Sequence, residues 1–225
     1  MKIDISKFIF IYEVNEFKPL DDSQHEGLRE LLGYIAADEH ITDYRWAAYM
    51  LATVLHECSR TWRPIHEHGS RQYFIGRYGS QTKVGKVLGN DTPEEGAIYA
   101  GKGFTQTTGE NNSEMLEKVL PREYPDVIAR WEAKNGRKFD LTVGDQPGDA
   151  NDNMALLDPE IAYINMSVCM RKGLYTGVGL PKYINGEKCD YVNSRKIINW
   201  LDCAETIAEY AVKIERIFKR CQEVD

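Results

Sequence analysis

Basic residues are in deficit: 28 Lys and Arg stand against 35 Asp and Glu, giving a formal net charge of -7. A general nucleic-acid binder needs a basic surface to displace counterions from phosphates, so no nucleic-acid partner is expected. Attraction to anionic surfaces gains no support either. Long apolar runs are also missing. No uncharged stretch is long enough to span a bilayer, which argues against an integral membrane segment. At the N-terminus, Lys2 and Lys7 are accompanied only by the short run Phe8 to Tyr12 before Glu13, too short for the apolar core of a signal peptide. The expectation is a protein made in the cytoplasm without a signal peptide. The five cysteines, Cys58, Cys169, Cys189, Cys203 and Cys221, are odd in number and form no CxxC pair, which suits free thiols in a reducing compartment. There is no internal repeat and no low-complexity segment.

What is present is ample for a core. With 42% hydrophobic and 28% charged content, 225 residues can form one large domain or two lobes around a cleft. Ile3 to Phe17 has a helical rhythm that stops at Pro19. Asp21 or Asp22 caps the next helix, with Leu28, Leu31, Leu32, Ile35 and Ala36 as its apolar stripe. Thr42 and Asp43 open a central helix that is apolar on most sides, the pattern of an element in the middle of a fold.

From Ser59 to Gly103, glycines, tyrosines and the pair Asp91 and Pro93 predict irregular loops with room for a short hairpin. A helix is expected from near Asn112 and another over Pro125 to Asn135, ended by Gly136 and followed by the polar connector VGDQPGDANDN. These suggest a small helical lobe inserted at roughly residues 110–155. Asp158, Pro159 and Glu160 start a helix that ends at Gly173. In the last helix Asp202 and Glu205 have capping-box spacing and Ile207, Ala211, Ile214 and Phe218 form one stripe. Glu209 with Lys213, and Glu215 with Lys219, are i,i+4 pairs.

The chemistry concentrates where the central apolar run ends, in His56, Glu57, Cys58, Arg60, His66, Glu67 and His68. A carboxyl group set where buried wall meets solvent tends to have its pKa raised, because desolvation disfavours charge. Three readings compete. A metallopeptidase needs His-Glu-x-x-His, and Arg60 occupies the second histidine position; a looser metal set from His56, His66, His68 and a carboxylate stays open. A thiol hydrolase would use Cys58, although nucleophile and base normally meet through the fold rather than in sequence. A glycosidase would use Glu57 as acid and Glu67 as base, with the carboxyl groups roughly 6.5–9.5 Å apart when water attacks directly.

Three blocks, in order, carry a resemblance: AYMLATVLHECSRTWRPIHEHG, LGNDTPEEGAIYAGKGFTQTTGENN and YVNSRKIINWLDCAETIAEYAVKIE. The first is similar to the catalytic helix and following loop of the family 19 chitinase-like lysozymes, a glycoside hydrolase group that includes phage endolysins. The second resembles their glycine-rich block, commonly written G-R-G-x-x-Q-L-T-G-R-x-N-Y, and the third their C-terminal portion. The resemblance implies a mainly α, lysozyme-like, two-lobed helical fold with a cleft, a single catalytic domain over residues 1–225.

It also implies hydrolysis of the β-1,4 bonds of peptidoglycan, a bacteriolytic activity on the cell wall, by inverting acid/base catalysis without a cofactor or metal, by a monomer released to the wall by another factor. Chitin is the alternative substrate, and a non-catalytic wall-binding component of a virion or secretion system the alternative role. Position by position, Glu57 matches the general acid, Glu67 the second carboxylate that activates water, and Thr108 the threonine that helps place that water. Gln106 and Asn199 match positions that hydrogen-bond sugars. Tyr73 and Tyr99, with Tyr78, offer faces for sugar rings, while Trp62 reads as core. Lys102, Thr107, Glu110, Ser113 and Trp200 depart from the pattern, Trp200 standing where a glycine commonly follows the asparagine.

Overall fold

A computed structural model of the chain describes residues 1–142 and 152–222. It is mainly helical, with two short antiparallel strand pairings. In chain order the elements are α1 (Ile5–Ile11), α2 (Asp22–Ala37), α3 (Tyr44–Glu57), β1 (Ile65–His66), α4 (Arg71–Tyr78), α5 (Lys83–Leu88), α6 (Glu95–Ile98) and β2 (Lys102–Gly103). There follow α7 (Glu110–Glu123), α8 (Pro125–Asn135), α9 (Pro159–Lys172), α10 (Leu180–Tyr183), β3 (Ile184–Asn185), β4 (Lys188–Cys189), α11 (Tyr191–Ser194) and α12 (Ala204–Gln222). The chain divides into two compact units, one made of Met1–Arg63 with Met166–Asp225 and the other of Pro64–Asn165. Among the described residues no helix is long and apolar enough to cross a membrane.

In the first unit, α3 is the centre. Asp43 caps it by accepting from Arg45 N, and Ala47 to Leu55 are all buried, so the helix is wrapped on every side. Its main neighbour is α12, whose stripe Ile207, Ala211, Ile214 and Phe218 is buried, with Phe218 edge-on to Phe8 of α1 at 4.9 Å. The Glu215–Lys219 pair forms at 2.7 Å. Asp21 caps α2 through a full capping box with Gln24, and Leu28, Leu31, Leu32 and Ile35 pack inward.

The exit from α3 is tight: Ser59, Arg60 and Trp62 all have positive φ, at 50°, 64° and 59°. Trp62 is buried there and its carbonyl lies against α2. A Cβ built on Gly27 would sit 2.8 Å from that carbonyl oxygen. Gly27→Ala is therefore expected to destabilise the fold by about 1–3 kcal/mol through overpacking, even though alanine is the better helix former by about 1 kcal/mol. Gly33→Ala in the same helix meets nothing within 4 Å and is expected to stabilise it. Thermal melts of the two variants should move in opposite directions, and a rise for both would count against the contact.

In the second unit, β1 pairs with β2, Ile65 opposite Gly103 and His66 opposite Lys102. Phe74, Tyr78 and Ala100 form a small core with Leu88 and Ala97 beside it. The stretch from Ser59 to Gly103 is more helical than its sequence suggests: α4, α5 and α6 occupy much of it. Ser70 and Thr82 cap the first two, accepting from Tyr73 N and Gly85 N. Close backbone packing accounts for Gly85, where a Cβ would lie 2.1 Å from Gly79 O. α7 starts at Glu110 and α8 spans Pro125–Asn135, with Gly136 left-handed at its end. Most of the connector expected after α8 lies outside the described residues. Asp158 caps α9, accepting from Glu160 N at 3.0 Å.

Candidate active site

In the first unit, Glu57 is the last residue of α3. Its side chain is 19% exposed, and Oε1 lies 2.6 Å from Nη1 of Arg195. That nitrogen has no aligned hydrogen-bond acceptor, so the contact is chiefly a Coulombic pairing of a carboxylate with a buried guanidinium. The opposite edge of the same group is used differently: Arg195 Nε donates to Asp202 O at 2.8 Å. One arginine thus ties the end of α3 to the loop before α12. Asn199, in that loop, is exposed, and its N–H donates to Arg195 O. Tyr49, also in α3, has its phenol pushed well above the usual range by burial, with the charges of Arg195 and Glu57 acting on it in opposite senses.

In the second unit, Glu67 follows β1 and both carboxylate oxygens accept hydrogen bonds, from Tyr78 Oη at 3.0 Å and from Gly101 N at 3.2 Å. Its main chain is fixed as well, Glu67 N donating to Gly101 O at 2.7 Å. A Cβ on Gly101 would lie 3.0 Å from Gln106 Oε1 and 3.1 Å from Glu67 Oε2, so a larger residue there would push on both side chains. Glu67 and Gln106 therefore share one narrow space. Gln106 spends its amide donors on main chain, to Ile65 O at 3.1 Å and Gly103 O at 3.0 Å, leaving its oxygen as an acceptor. Thr108 Oγ1 donates to Gln106 O at 2.9 Å, so its hydroxyl is left to accept, as from a water.

Tyr73 is 45% exposed, with Arg77 above its ring. Tyr99 is not available to a ligand: it is 0% exposed, and its hydroxyl faces Glu110. The expectation that it stacks on sugar is corrected by its burial beneath the glycine-rich loop, where its carbonyl accepts from Gly109 N. Trp62 is buried in the first unit. Cys58 caps α3 and is buried. Among the described residues, no group of three or more His, Cys, Asp or Glu side chains could hold a metal ion.

Three residues matter more than their sequence context indicates. Arg195 lies beside Lys196 in the C-terminal block, where no local spacing sets it apart. The carboxyl of Glu110 is pushed up to about 7 by burial and by the nearby carboxylates of Glu95, Asp91 and Glu114. Lys102 is buried, its Nζ donating to Ile98 O at 2.6 Å and Ala100 O at 3.2 Å. Burial pulls its pKa from 10.5 down to about 8, against the opposing attraction of Glu67.

Because the folded value of Lys102 lies below the unfolded one, the native chain binds fewer protons between those two values. Its contribution to stability is present above pH 10.5 and lost as pH falls through about 8. Relative to Lys102→Met, wild-type stability from urea unfolding is expected to rise by up to about 3 kcal/mol across that window. A difference that stays flat with pH would contradict the assignment.

Set against protein-family models, curated proteins and solved structures, the chain has no match in any of the three.

Proposed function

We propose that the chain is a glycoside hydrolase of the family 19 chitinase-like type, acting on the β-1,4 bonds of peptidoglycan after release to the wall by another factor. The observation that carries this reading is a carboxylate, Glu57, partly exposed at the end of a helix whose central stretch, Ala47 to Leu55, is wholly buried. Such a position lets a carboxyl group exchange a proton with a bound substrate while its backbone is held rigid. On this reading Glu57 protonates the leaving oxygen. Glu67, with both oxygens oriented by hydrogen bonds, activates the water, and Thr108 accepts from that water. No cofactor takes part.

The reading is supported by the three ordered sequence blocks and by the oriented carboxylate of Glu67. Its test is mass-spectrometric analysis of reducing ends released from purified sacculi and, in parallel, from chitin oligosaccharides. New reducing ends from sacculi are expected. Release from chitin alone would transfer the activity to the alternative polymer.

One observation favours a second reading. Glu57 lies against a buried arginine, and the Glu57–Arg195 pairing suits a structural carboxylate as well as a catalytic one. The chain would then bind the wall polymer without cleaving it. Retention on sacculi with no reducing-end release at any pH would select that role.

A further inference from the structure

The loop leading into α12 carries a tryptophan that the proposed chemistry does not use. Trp200 is 78% exposed and has φ 34°, and Cys203 beyond it has φ 53°. Left-handed backbone suits glycine and is strained for a bulky residue, and strain of this kind collects where a side chain has a task. The loop is not loose. Ile198 N and Asn199 N both donate to Arg195 O, and Arg195 Nε donates to Asp202 O. The same guanidinium pairs with Glu57, so Asp202, two residues past Trp200, is held one guanidinium's width from that carboxylate.

We propose that Trp200, with Asn199, forms a saccharide subsite next to Glu57 that stacks one pyranose ring of the glycan strand. This rests on the reading of the chain as a glycan-directed protein. A pyranose has an apolar face of C–H groups and a rim of hydroxyl and amide groups. An exposed indole presents a flat apolar face, and the neighbouring Asn199 amide is a neutral donor and acceptor that suits the rim. An anionic lipid surface fits less well, since Asp202 is exposed in the same loop and the net charge is -7.

The test uses the whole chain and two probes, an N-acetylglucosamine tetrasaccharide and peptide-free glycan strands from sacculi. Trp62 and Trp131 are buried, and Trp46 is partly buried with Nε1 bonded to Ile184 O, so acrylamide quenching reports mainly Trp200. Saturating saccharide is expected to protect that fluorescence. Trp200→Gly relaxes the backbone and should melt no lower than wild type. It should nevertheless lose the protected signal and raise the half-saturating saccharide concentration roughly five- to tenfold. Trp200→Phe should recover most of the affinity. Phe10→Ala, which removes another exposed aromatic, 63% exposed, should change nothing.

Cleavage of sacculi with no protection of Trp200, or unchanged affinity in Trp200→Gly, overturns the subsite and leaves the hydrolase reading standing. Protection without cleavage retains the subsite and removes the hydrolase. Neither protection nor cleavage overturns both.

Discussion

Arg195→Met is expected to lower the unfolding free energy by about 3–5 kcal/mol, the range for removing one partner of a buried ion pair. Three losses combine. The Glu57 carboxylate keeps a partly buried position without its cation, the Nε bond to Asp202 O disappears, and the loop carrying Asn199 loses its anchor. Water reaches the carboxylate to some degree, with 19% of that side chain exposed, which favours the lower end of the range. A double-mutant cycle isolates the pairing: Arg195→Met combined with Glu57→Gln should cost clearly less than the two singles added together, because the orphaned charge is gone. Urea midpoints for the four proteins measure this. An Arg195→Met variant within 1 kcal/mol of wild type would show that the contact does not bear on stability.

Glu57→Gln is expected to reduce reducing-end release from sacculi by about 10²–10⁴-fold, the usual contribution of a positioned general acid. The substitution preserves size and removes the transferable proton. It also leaves Arg195 facing a neutral amide, so activity must be read well below the variant's melting temperature, with far-UV circular dichroism establishing that it is folded. Glu67→Gln should fall by a similar factor with less effect on stability, since the single amide oxygen can keep the Gly101 N–H while the Tyr78 hydroxyl turns to accept from the amide NH2. Equal lysis of permeabilised Gram-negative cells by wild type and Glu57→Gln would remove the catalytic role from position 57.

The helices announced by end signals were legible before any coordinates. Asp21 and Asp43 cap α2 and α3, Pro125 and Gly136 bracket α8, and Asp158 and Gly173 bracket α9. α4, α5 and α6 were not, because they are short, polar and interrupted by glycine, so no apolar stripe repeats often enough to be seen. Their caps, Ser70 and Thr82, were the readable trace. The partners of the candidate site were hidden for a different reason. Arg195 and Glu57 are far apart along the chain and meet only through packing, a relation that no local spacing encodes. Tyr99 misled because an aromatic beside glycines reads as a loop residue, whereas here it fills the space beneath the loop.

The unit built around α3 is interrupted: Met1–Arg63 must wait for Met166–Asp225, with Pro64–Asn165 between them. During synthesis the apolar helix α3 emerges roughly 150 residues ahead of its partner α12. At ribosomal speeds this delay lasts roughly 7–30 s, during which the contiguous unit is free to fold first. The nascent N-terminal segment therefore holds the apolar α3 without its main partner in the meantime, and the first unit closes only when α12 leaves the exit tunnel.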